Sequence, residues 1–183
     1  MKKIFFLFIL CLLLNFQNLV AKDLWAEAKE GDKIILIRHA VAPGGGDPSG
    51  FKINDCKTQR NLSKTGIEQS KAIGKLFKEN KIPVDKVLSS QWCRCKDTAK
   101  YAFKNYFEFP ALNSTFQSAF AKNEPKQLKQ IKTFVSNWDG NGGNLVLITH
   151  YSIITAITNA VPSSGEIVIT DKNFNILSTV LTD

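Results

Sequence analysis

The chain has 183 residues, 44% of them hydrophobic and 22% charged, and 24 Lys and Arg against 16 Asp and Glu give a formal charge of +8. This composition is too apolar for a disordered chain and too polar for a multi-span membrane protein, and four cysteines are too few for a disulfide-built miniprotein. A single domain with a continuous core is expected.

The first 21 residues read as a segment apart. Lys2 and Lys3 precede an unbroken apolar run, Ile4 to Leu14, and Asn15, Gln17 and Asn18 then lead to Ala21. This is the layout of a secretory signal, and the run is short for a membrane span. The expected division is a signal peptide over 1–21 and a domain over 22–183, placing the protein in a periplasm or outside the cell. Leu19, large for its place two residues before the cut, keeps an uncleaved membrane anchor as the alternative.

Lys33 to Ile37 reads as a strand buried on both faces, because Ile34 to Ile37 are contiguous and apolar. It ends in Arg38-His39-Ala40, and a loop rich in Gly and Pro, Pro43 to Gly50, follows. A helix is expected from Ser63 or Thr65, with Thr65 and Glu68 as a capping box. Val84 to Ser89 reads as a second strand and Gln91 to Asn105 as a second helix. A third helix opens at Asn123-Glu124-Pro125. Leu145 to Thr149 reads as a third buried strand, ending in His150; a short helix and strands near Ile167 to Thr170 and Ile176 to Leu181 complete the chain. The alternation predicts an α/β fold: three layers, helices on both faces of a mainly parallel central sheet. Ligands of such folds bind beyond the carboxyl ends of the strands. Arg38, His39 and His150 should meet there, and no other histidine exists in the chain.

Beyond the signal segment three cysteines remain, Cys56, Cys93 and Cys95. Export would let a disulfide persist, from Cys56 to one of the other two, leaving one thiol over. C-x-C with no nearby His fits neither a zinc site nor a C-x-x-C redox centre. The scattered lysines read as solvated helix faces, and no basic run argues for nucleic acid.

Four motifs then resemble, in order, those of the histidine phosphatases, the phosphoglycerate mutase-like superfamily. They are LIRHA (Leu36 to Ala40), RNLSKTGIEQ (Arg60 to Gln69), SSQWCRCKDTA (Ser89 to Ala99) and LVLITH (Leu145 to His150). Ala40 and Gln91 stand where the family commonly has Gly and Pro. The chain is similar to the small branch, without large helical insertions. The resemblance implies a phosphohistidine mechanism; no cofactor is expected, and no metal, because two His with two adjacent Arg make an anion site and not a cation site. His39 would be the nucleophile, Arg38, Arg94 and His150 would hold the phosphoryl oxygens, and Arg60 would be a fifth phosphate-side group. Guanidinium groups suit this task as planar, permanently charged, bidentate donors.

The family usually adds a carboxyl that protonates the leaving oxygen, either after the second His or after the second helix. Here those places hold Tyr151 and Ala111 to Phe116, without an acid. Asp47, Asp55 and Glu166 remain, and Glu166 and Asp55 are the expected donors: Glu166 follows a loop toward the sheet edge, and Asp55 adjoins Cys56. The expected activity is an exported phosphomonoesterase acting on a phosphorylated small molecule or envelope component. A catalytically weak phosphoanion-binding or sensing module of the same fold is the alternative. The loop Pro43 to Phe51, with Trp92, Phe116 and Phe120, borders the expected substrate mouth or belongs to the core.

Overall fold

The computed structural model describes residues 23–182; the signal-peptide reading of residues 1–21 lies outside them. The elements run α1 (Ala26–Lys29), β1 (Ile34–Arg38), α2 (Lys64–Glu79), β2 (Val84–Ser89), α3 (Cys93–Phe103), β3 (Phe107–Glu108), α4 (Ser118–Ala121), α5 (Glu124–Asn137), β4 (Asn144–Thr149), α6 (Tyr151–Thr158), β5 (Ile167–Thr170) and β6 (Ile176–Val180). Six strands form one sheet in the order β3-β2-β4-β1-β5-β6. The first four are mutually parallel, and β5 and β6 extend the sheet antiparallel beside β1.

The apolar runs explain the layers. Successive side chains of a strand point to opposite faces, so a strand apolar at every position needs cover on both. Ile35 and Ile37 pack with Ile73 and Phe77 of α2 and Ala99 of α3, while Ile34 and Leu36 pack with Ile131 and Val135 of α5 and Ile153 and Ile154 of α6. Each such fully buried side chain contributes about 1.5–3 kcal/mol.

Two local readings need correction, and one strand went unread. The N-cap of α2 is Ser63, whose hydroxyl accepts from Gly66 N–H, so the Thr65–Glu68 pair lies within the first turn and caps nothing. α3 starts at Cys93, with Trp92 as its non-helical N-cap, because Ser90 N–H still pairs with Ile148 O across the sheet and the chain bends at Gln91 and Trp92 before the helix. β3 has only two residues, too short to show a period in sequence.

Gly66 has a steric cause. A Cβ there would collide with the backbone carbonyl of Val41, which accepts from both the N–H and the hydroxyl of Ser63. This contact seats α2 against the turn after β1, immediately beside Arg38 and His39. Gly66→Ala is expected to lower stability by about 1–3 kcal/mol, read as a drop in the urea midpoint. An unchanged midpoint would mean that α2 can shift freely.

Candidate active site

The pairing of strands assembles the site. Arg38 is in register with Thr149 on the adjacent parallel strand β4, and Ser89 of β2 with Ile148. The next residues, His39, His150 and Ser90, therefore come side by side at one edge. His39 N–H continues the ladder to Thr149 O at 2.9 Å. The two imidazoles stand edge to face with centroids 5.4 Å apart.

His39 is 3% exposed, and its Nδ1 lies 2.8 Å from the carbonyl oxygen of Ala40. A carbonyl only accepts, so Nδ1 carries the proton and Nε2 keeps its lone pair. His150 lies between two partners, with Nε2 2.9 Å from Ser90 Oγ and Nδ1 3.3 Å from Arg94 Nη2. Since Arg94 only donates, Nδ1 is the acceptor in this state and Nε2–H donates to Ser90, whose hydroxyl donates on to Asn113 Oδ1 at 3.1 Å.

Around this pair is a small cleft of about 130 Å³ lined by Arg38, His39, Gly44 to Asp47, Arg60, Arg94, Ser114, Phe116, Gln117 and His150 to Ser152. Arg94 sits in the first turn of α3, held by Thr98, whose hydroxyl donates to Arg94 O and accepts from Ala40 N–H. Arg38 ends β1 and gives one N–H to Pro162 O. Arg60 reaches back to the carbonyls of Ala42 and Gly44 and so closes the glycine loop. The Nε–H groups of all three arginines are buried and unpartnered. Three cations with orphaned donors around one cleft specify an anion.

The sequence model of the histidine phosphatase superfamily (branch 1) matches residues 34–110, the stretch that supplies β1, the glycine loop, α2, β2 and α3. Over that stretch the chain is similar to the histidine phosphatase superfamily. Two solved structures share its fold. The protein histidine phosphatase SixA complexed with tungstate is 13% identical, with a TM-score of 0.53 over 80% of this chain and 95% of that one. Phosphoglycerate mutase from Thermus thermophilus is 14% identical, with a TM-score of 0.55 over 82% and 99%. At such identities the likeness is one of fold. No curated protein matches the chain's sequence.

Arg38, His39, Arg60, Arg94 and His150 all come to the one cleft. The two expected proton donors do not. Asp55 caps a short 3-10 turn, accepting from Lys57 N–H at the surface. The Glu166 carboxylate turns back to accept from Ser163 N–H, and only its backbone carbonyl touches the site, accepting from Arg38 N–H. The carboxylate on the cleft wall is Asp47, in a salt bridge with Arg94 Nη1 at 2.8 Å; the two side chains are 2% and 3% exposed. Its placement in the Gly44–Gly50 loop is the signal that sequence offered, without a partner to give it meaning.

The disulfide joins Cys56 to Cys93, tying the segment before α2 to the residue preceding Arg94. Cys95 is the leftover thiol, buried, with Sγ 3.4 Å from His150 Nε2. Burial pushes its pKa up to about 12, so it is a neutral thiol at pH 7. Of the mouth aromatics, Trp92 is core, packed against Phe51 and Phe120, while Phe116 is 62% exposed at the rim.

Burial first, and then the neighbouring Arg94 guanidinium, hold both His39 and His150 well below the usual imidazole value. In the unfolded chain each titrates near about 6.5. Below that pH the unfolded chain gains protons that the native state refuses, so stability is lost as the pH falls, by up to about 1.4 kcal/mol per pH unit for each imidazole. The expected results are Cε1–H resonances that stay at their neutral shifts as the pH passes below 6.5, and a urea midpoint that falls from pH 7 to pH 5. Resonances titrating at 6.5 would show solvated rings.

Proposed function

We propose that this protein is an exported phosphatase that cleaves a phosphomonoester through a phosphohistidine on His39. The observation that carries the reading is the His39 ring, with Nδ1 spent on Ala40 O and Nε2 left over, in a cleft shared with three arginines that have unpartnered donors. Depressed basicity keeps that nitrogen unprotonated, as a nucleophile requires. Arg38 and Arg94 neutralise the phosphoryl oxygens, and Arg60 holds the glycine loop over them. As an anion takes Arg94 from His150, the His150 proton moves to Nδ1 and the Ser90 hydroxyl turns to donate to Nε2, so that His150 becomes a further donor.

Export is supported by the layout of residues 1–21 and is compatible with the Cys56–Cys93 disulfide. Among the described residues no helix is long and apolar enough to cross a membrane. The substrate is a phosphorylated small molecule or envelope component, held with no cofactor.

Acid quenching of the purified protein during reaction with an aryl phosphomonoester tests the reading. Released phosphate together with acid-labile, protein-bound phosphate is the expected result. Tungstate binding without turnover would favour a phosphoanion-sensing module, a reading supported by the carboxylate already seated on Arg94.

A further inference from the structure

A phosphatase that works through His39 must also deliver a proton to the departing oxygen, and the cleft wall offers few sources. Among the residues lining it, Asp47 is the only carboxylate. It lies at the end of the glycine loop and accepts from Arg94 Nη1 with both oxygens (2.8 and 3.1 Å), from Trp92 Nε1 (2.9 Å) and from Arg60 N–H (3.1 Å). Cys95 adjoins His150 and is absent from the cleft wall.

We propose that Asp47 is the acid that protonates the leaving oxygen and then the base that activates water, an inference that rests on the phosphatase reading above. The carboxylate is parked on Arg94, where a phosphoryl oxygen is to bind. A phosphoryl dianion that takes Nη1 leaves two anions facing one guanidinium in a dry cleft, and one proton shared between them relieves the repulsion. Trp92 Nε1 and Arg60 N–H keep the carboxyl in place meanwhile. Gly44 and Gly46 hold the loop at positive φ (98° and 111°), and the Cβ position of Gly45 faces open space.

The chemistry balances. His39 Nε2 forms the bond to phosphorus, the bond to the leaving oxygen breaks, and the Asp47 proton goes to that oxygen, releasing an alcohol. The carboxylate then takes a proton from water as the water oxygen attacks phosphorus. The P–N bond breaks with its electrons returning to Nε2, giving inorganic phosphate and the starting protonation of both residues.

The test compares wild type and Asp47→Asn on p-nitrophenyl phosphate, whose leaving group needs no proton, and on glycerol phosphate, whose leaving group does. The variant should lose about 10²–10⁴-fold in kcat/KM on glycerol phosphate and under about tenfold on p-nitrophenyl phosphate. Slowed water attack should let acid-labile phosphoprotein accumulate in the variant. Equal losses on both substrates would make Asp47 a structural partner of Arg94 and overturn the assignment. Should the variant fail to fold, the wild type decides alone: kcat/KM nearly independent of leaving-group acidity across a series of phosphomonoesters supports an acid in the cleft, and a steep dependence refutes it. Wild type without His39-dependent turnover on either ester would instead overturn the phosphatase reading itself.

Discussion

Replacing His39 by Ala is expected to remove turnover by at least about 10³-fold and to abolish acid-labile phosphate on the protein, while tungstate still binds within about tenfold of wild type. A nucleophile that forms the covalent intermediate has no substitute, and the remaining groups can only bind. The fold should tolerate the change, because the ring bonds only to the carbonyl of its own neighbour, Ala40, and meets the His150 ring edge to face. Anion affinity should survive because it resides in Arg38, Arg60 and Arg94 with their spare donors. The measurements are quenched-flow phosphate release and calorimetric tungstate binding. A variant that retains turnover would place the nucleophile elsewhere.

Arg94→Met is expected to damage stability and binding together. Arg94 and Asp47 form a nearly dry ion pair, and removing one partner strands a buried charge, at a cost of about 3–5 kcal/mol. The same change removes the cation next to both imidazoles, so tungstate affinity should fall by about 10²-fold or more. The double variant Arg94→Met/Asp47→Asn should recover most of the lost stability and none of the lost affinity. Urea midpoints and tungstate titrations at pH 7 separate the two effects. A single variant as stable as wild type would mean that water reaches Asp47 once its partner is gone.

The pieces of the site legible in sequence were those fixed by backbone position. His39 and His150 each follow a strand apolar at every position, and parallel neighbours place their ends at one edge. Motif residues without chemistry proved to be mechanical. Gln69 accepts from Val41 N–H and donates to Ser164 O, tying α2 to both loops around Arg38, and Thr98 ties α3 to Ala40. The carboxylate on the cleft wall was not legible in this way. Asp55 and Glu166 recommend themselves by their neighbours in sequence, a cysteine and a loop toward the sheet edge, but each satisfies a local backbone N–H instead. Asp47 is 47 residues from Arg94 in sequence, and no periodicity records that pair.

By itself the sequence determined the layering and the sheet edge that bears the site. Apolar spacing dictates which faces must be covered, and strand ends follow from where that spacing stops. It also carried the three arginines and two histidines that line the cleft. Only the tertiary structure decided which of two cysteines meets Cys56, which nitrogen of His39 stays free, what holds each nitrogen of His150, and which carboxylate reaches the cleft. Those depend on side-chain contacts between distant segments, set by loop path and rotamer to within hydrogen-bond length, and a linear pattern of polar and apolar residues holds no record of such distances.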